Sequence, residues 1–274
     1  MTRTKILRNL QMYVGLGIVL FFVLVGIFAP VIATHDPLDV VIPRRLQAPS
    51  SEHFLGTDDL GRDMFSRIVF GARVSLVIGV SAVSMGASVG ITLGILAGYF
   101  GGKVDTLIMR LVDVLLAFPG ILLGLVVVTI MGASMTGVII TVAIMNISTF
   151  ARITRGSTLG VKKLEYIDAI RAVGAGDFRI IFVHILPNIL SPLIVQATLN
   201  VGTAIVAAAI LSFLGVGIPA PTPEWGAMVD RGRAHLILHP HLIYYPGLAI
   251  FMFVVGVNMF GDGLRDYLEP KKHR

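Results

Sequence analysis

Runs of apolar, uncharged residues long enough to cross a bilayer constrain this chain more than any other feature. A helix needs about 20 mostly apolar residues to span the hydrocarbon core, and several such runs recur along the 274 residues. The first covers 13–32 and follows Arg3, Lys5 and Arg8. It is too long for a secretory leader and lacks a small-residue cleavage site, so a retained anchor is expected. The second runs over 74–100, between Arg73 and Lys103, and the third begins near Thr106, with Arg110 and Asp113 in its first turns. No charge interrupts 114–151, too long a stretch for one crossing, and Gly132, Ser134 and Gly137 provide a turn inside it. Further spans are expected over 189–211 and 242–260. The expected fold is therefore all-α and polytopic, with six transmembrane helices and both termini on one side.

Charge placement agrees with that topology. The segments it places in the cytoplasm hold 15 of the 22 Lys and Arg residues, including every lysine, while the 16 acids divide eight and eight. The inside is then +7 and the outside −1, as the positive-inside rule requires. The basic pI of 9.8 follows from this asymmetry without nucleic acid as a partner, and the mean hydropathy of +0.86 makes lipid the main one. Cysteine is absent, which removes disulfides and thiolate metal sites.

Gly86, Gly90, Gly94 and Gly98 recur at every fourth residue of the second span, a small-residue face that lets another backbone approach. Gln196, Asn200 and Thr203 form a polar stripe in the fifth span, read either as interhelical hydrogen bonding or as pathway lining. No acid or base lies mid-span, so an ion-coupled relay has no residues to run on. Outside the core, Met64, Phe65, Ile68 and Val69 beside Arg67 and Arg73 suggest a helix lying in the interface before the second span. Asp58, Asp59 and Asp63 lack the spacing of a calcium loop and read as loop structure. His235, His239 and His241 stand out as the only histidine cluster, but Pro240 interrupts them and no metal is expected there. No nucleophile elbow, zincin motif or paired membrane carboxylate supports a membrane enzyme, and no charged ring supports a channel.

Between the fourth and fifth spans the chain reads as helix, turn, helix. Tyr166, Ile170 and Val173 share an apolar face, Gly174 suits a left-handed C-terminal position, and Asp177 suits the next N-cap. Lys162 and Lys163 before it leave two readings open, a helix on anionic lipid or one covered by a protein.

The order acid, Ala, later Gly, then Leu-Pro, present as Asp168, Ala169, Gly174, Leu186 and Pro187 behind Glu165, resembles the EAA loop of ABC importer permeases. Asp168 stands where that loop usually has Glu, and Ile170 where it has a second Ala. His184-Ile185-Leu186-Pro187-Asn188 resembles the C-type permeases of the dipeptide, oligopeptide and nickel branch. So do the stretches 54–63, 211–215, 221–226 and 261–266, and the resemblance spans almost the whole chain.

The resemblance implies a type I (MetI-like) permease fold in the inner membrane and no catalysis by this chain. It implies a second homologous permease, two ATP-binding subunits docked at the loop through Asp168, Ala169 and Gly174, and an extracytoplasmic substrate-binding protein. The cargo would be peptides, or nickel chelates or another small solute in the same architecture. No cofactor is expected in the chain, because ATP would be bound by the partners. The nearest thing to a phosphate-binding loop, 98–104, fails because Ala97 precedes it where Gly is needed and Val104 stands where Ser or Thr is needed. The expected organisation is an N-terminal tail and anchor (1–33), an outer loop with the interfacial helix (34–73), a core (74–265) containing the coupling loop (152–188), and a cytoplasmic tail (266–274).

Overall fold

The computed structural model describes residues 3–268, with side chains from Leu10 onward. Lys271, Lys272 and Arg274 of the expected tail lie outside the described residues. The described residues are helical apart from loops and one isolated bridge between Thr57 and Asp63. The long helices are α1 (Arg3–Ile27), α3 (Met64–Phe100), α6 (Met135–Lys162), α9 (Leu186–Phe213) and α11 (His241–Leu268). Between them lie α2 (Ala29–Ile32), α4 (Gly102–Ala117), α5 (Gly120–Met131), α7 (Glu165–Ala172), α8 (Asp177–Arg179) and α10 (Trp225–Gly232). Helices keep their backbone bonds internal, so they suit runs this apolar.

Five helical stretches are long and apolar enough to cross a membrane, and the bent pair of α4 and α5 makes a sixth candidate. That pair corrects the expectation of a straight third span. The two helices meet at 94° across Phe118 and Pro119. Phe118, extended at φ −89° and ψ 134°, has the conformation that a following proline imposes. The expected turn after it is present, with Gly132 at φ +83° and Ser134 capping α6 through the Gly137 amide.

Two further boundaries differ from expectation. The first span ends at Ile27 rather than continuing to 32, because Pro30 has no N–H for the carbonyl of Gly26 and restarts the chain as the short α2. The expected interfacial helix at 64–69 is not separate. Asp63 accepts from the Ser66 amide at 2.7 Å and starts one unbroken helix that runs to Phe100. Nor does Arg67 face an interface: it is buried, 3.4 Å from Asp58 Oδ2, and donates to the carbonyl of Pro37 at 2.8 Å.

Helix α3 lies along α6, and the four spaced glycines form the contact. A methyl added at Gly86, Gly90, Gly94 or Gly98 would meet α6 backbone or Cβ atoms at 2.5–2.8 Å, so only glycine allows this approach. Helices α1 and α11 run antiparallel, Gly15 against Phe260 and Gly263 against Met12, so residues 12 and 263 share one end of the bundle. At the other end, fully buried Trp225 donates to the Ile68 carbonyl and meets Phe22 and Phe253 edge-on or tilted.

Candidate functional site

The candidate site is the segment between α6 and α9. Eight residues make α7, and its C-terminus closes in a Schellman arrangement: the Ala175 amide donates to the Ile170 carbonyl at 3.2 Å and the Gly174 amide to that of Arg171 at 3.0 Å. Gly174 sits at φ +88°, where a Cβ costs about 1–2 kcal/mol. Nothing lies within 4 Å of that Cβ position, so the glycine is required by backbone conformation and not by crowding.

The face that α7 buries differs from the expected one. Ile167 is fully buried and Ile170 half-buried against the bundle, whereas Tyr166 is exposed and Val173 is 84% exposed. On so short a helix the pair at i, i+3 suffices to seat it, and of the expected stripe Tyr166 and Val173 face outward. Asp168, Ala169, Val173 and Gly174 are all exposed on the outer side, with Phe178 beyond them at 75%. Glu165 is exposed on the first turn, and Asp168 makes only a 3.5 Å pair with Arg171. Exposed apolar surface at Val173 and Phe178 is thus presented beside the exposed acids Glu165 and Asp168.

The second helix of the loop is not a separate element. Asp177–Phe213 forms one helical stretch of 37 residues, about 55 Å long. Pro187 would break an α-helix there, having no N–H for the Val183 carbonyl and a ring that clashes with it. The turns over Ile180–Ile185 widen to π geometry instead, with the Leu186 amide donating to the Ile181 carbonyl. Asn188 Nδ2 then donates to the carbonyl of His184 at 2.6 Å. Leu186 packs against the core while Pro187 remains exposed. The second half of the loop is therefore continuous with the fifth span.

Asp177 is also corrected. Gly176 holds the N-cap position, and Asp177 Oδ1 instead accepts from the Tyr99 hydroxyl at 2.5 Å. Lys162 Nζ donates to the Tyr99 carbonyl at 2.5 Å and lies 5.6 Å over its ring. The Tyr99 hydroxyl is also the main group holding the Arg171 guanidinium above its ordinary pKa, with Asp168 and Asp177 adding to the effect. Tyr99 thus joins the ends of α3 and α6 to both halves of the loop. No local pattern marked it, because its partners are 63 or more residues away.

The polar stripe of α9 is placed as a chain of bonds. Gln196 Nε2 donates to Asn200 Oδ1 at 2.7 Å, Asn200 Nδ2 to Asn146 Oδ1 at 2.8 Å, and Asn146 Nδ2 to the Val142 carbonyl at 2.8 Å. Asn200 and Asn146 are buried between α9 and α6, Gln196 is half-buried, and Thr203 is exposed and donates to the Asn200 carbonyl at 3.0 Å. Asn146 was missed, because its bond to Asn200 joins residues 54 apart in sequence. Elsewhere Arg155 grips Asp105 with two nitrogens, at 2.5 and 2.6 Å, and Arg152 reaches Asp113 at 2.7 Å, fastening α6 to α4. The histidines at 235, 239 and 241 are not the only cluster: His35 and His53 meet at Asp63, 4.7 Å apart by ring centre.

Bent and straight apolar helices around a glycine seam, with one exposed helical loop, have the build of a multi-pass membrane protein. Residues 90–274 match the family described as binding-protein-dependent transport system inner membrane component, and 3–49 match the N-terminal TM domain of oligopeptide transport permease C. The chain is 47% identical over 264 residues to the dipeptide transport system permease protein of Alkalihalophilus pseudofirmus, covering 96% of this chain and 87% of the relative. It is 49% identical over 265 residues to the glutathione transport system permease protein of Escherichia coli O157:H7, with the same coverage. The fold matches the permease of an inward-facing MetNI methionine ABC transporter at TM-score 0.62 and 18% identity, over 75% of this chain and 97% of that one. An amino acid ABC transporter matches at TM-score 0.56 and 14% identity, over 76% and 94%.

The chain belongs to the C-type permeases of ABC importers, the inner-membrane components that form the translocation pathway. Such subunits are not enzymes; they work with ATPase and substrate-binding partners.

Proposed function

We propose that this chain is one half of the pathway of a short-peptide importer, and that the exposed face of α7 seats an ATP-binding subunit. It pairs with a second, related permease, works with two ATP-binding subunits, and receives substrate from an extracytoplasmic binding protein. ATP is bound by the partners alone. Both termini lie in the cytoplasm, a reading supported by the charge asymmetry. The peptide class rests on relatives named for dipeptide and glutathione transport. Gln196 and Thr203, the less buried members of the α9 stripe, contribute to the pathway, while Asn200 joins helices.

The observation that carries the docking reading is the orientation of α7, which spends Ile167 on its own bundle and leaves Asp168, Ala169, Val173 and Gly174 outward. A rigid helix joined to a 37-residue rod moves the bundle as a lever.

Gly174→Asp puts a charge at the outward turn at a cost of about 1–2 kcal/mol in backbone strain, which the fold tolerates. The two permeases should still co-purify, while recovery of co-expressed ATPase should fall at least ~10-fold, as expected for about 1.4 kcal/mol lost at an interface. Wild-type recovery of ATPase by the variant would remove this face as the seat.

A further inference from the structure

We propose that His35, His53 and Asp63 form a transition-metal site of the zinc type, which ties the segment after α2 to the start of α3. One ring nitrogen of each histidine and one carboxylate oxygen lie within 4.8 Å of one another. His53 Nδ1 is 2.9 Å and His35 Nδ1 3.8 Å from the same oxygen, Asp63 Oδ1. Ligand bonds of about 2.0–2.2 Å in tetrahedral geometry place neighbouring donors about 3.4 Å apart. The two observed separations bracket that figure, each within roughly half an ångström of it.

Helix capping does not account for this convergence. The cap uses Asp63 Oδ2, which accepts from the Ser66 amide at 2.7 Å, and leaves Oδ1 to the two imidazoles. His53 and Asp63 are each only 3% exposed, and a buried polar cluster is costly unless its bonding is complete. It is incomplete toward His35, whose Nδ1 stands 3.8 Å from Asp63 Oδ1, beyond hydrogen-bond reach. His35, whose side chain is 33% exposed, gives the entry path. Thr34 Oγ1, 3.0 Å from His35 Nδ1 and 3.5 Å from Asp63 Oδ2, stands at the open side, where a water would complete four ligands.

Two nitrogens and one oxygen suit Zn²⁺ and its spectroscopic substitute Co²⁺, whereas Mg²⁺ and Ca²⁺ favour all-oxygen sets. The three ligands come from three segments, and the His35 amide also donates to Ser66 Oγ at 3.0 Å. A bound ion would therefore fix the segment after α2 to α3, at the opposite end of α3 from Tyr99.

The test uses the untagged permease complex, stripped with chelator and titrated with CoCl₂, then with ZnCl₂ in competition. One equivalent of Co²⁺ per chain should produce the visible band of four-coordinate N/O cobalt, bleached by Zn²⁺ and unaffected by excess Mg²⁺. His35→Ala, at the exposed ligand, should keep co-purification with the partner permease and weaken binding on the order of 100-fold. His239→Ala, in the other histidine group, should leave the titration unchanged. No band in the wild type, equal binding by His35→Ala, or loss of binding in His239→Ala would each overturn the site.

Discussion

Gly90→Leu is expected to leave almost no folded permease in the membrane. The first added carbon would lie 2.6 Å from the Ile147 carbonyl oxygen and 2.6 Å from Phe150 Cβ, with the Ala151 amide nitrogen at 3.1 Å. Two of these are backbone atoms of a continuous helix and cannot swing aside. Between helices in lipid there is no hydrophobic gain to offset separation, so association depends on close van der Waals contact. Forcing α3 off α6 at Gly90 also lifts Gly86 and Gly94 from the same surface, a loss spread over the largest helix pair in the fold. Overpacking by a methyl costs about 1–3 kcal/mol, so Gly90→Ala should lower thermal stability measurably. Leucine adds three more carbons in the same gap and exceeds what a marginally stable protein tolerates. Size-exclusion recovery from membranes reads both variants. Gly156→Leu on α6, with nothing within 4 Å of its Cβ position, should behave like wild type. Equal recovery of the Gly90 and Gly156 variants would mean that the seam does not hold the helices together.

The glycine seam was legible because its period is the helix's own, but its partner was not: α6 carries Ala143, Ile147, Ala151 and Thr154 along that face, which reads as ordinary span. The five long apolar stretches were legible for the same local reason. The bend at Phe118 and Pro119 was missed because hydropathy does not change across it, although Pro119 was a visible signal. The unbroken α3 was missed because Arg67 and Arg73 imitate an interfacial boundary. The charge of Arg67 is met by Asp58 and loop carbonyls that only the fold brings near. On the loop, Gly174 was readable from backbone demands alone. The buried face of α7 was not, since Ile167 and Ile170 seat it while Tyr166, Ile170 and Val173 imitate a stripe. Tyr99 and Asn146 belong to long-range bonds and had no sequence signature.

Removing one oxygen atom at Tyr99 is expected to separate ATP hydrolysis from transport if the loop acts as the proposed lever. Tyr99→Phe keeps the buried ring, 4% exposed, and the Lys162 ammonium above it, so fold and assembly should persist. What is lost is the 2.5 Å bond to Asp177 and the contact with Arg171. Asp177 begins the rod that enters the fifth span, whereas Tyr99 ends α3, so this bond is where a displaced loop pulls on the second span as well. A hydrogen bond to a charged group is worth about 1.5–3 kcal/mol. Spent on one conformational equilibrium, that is on the order of 10–100-fold in the population of the state in which both spans have moved. In proteoliposomes with binding protein, peptide uptake by Tyr99→Phe should fall by about that factor, while ATPase subunits are retained and basal hydrolysis continues. Asp177→Ala should reproduce the loss, and the double variant should be no worse than either single one, because one bond is being removed twice. Additive losses would place the two residues on separate routes. Uptake at the wild-type level in Tyr99→Phe would mean that the rod alone carries the stroke, with α3 following through its contact with α6.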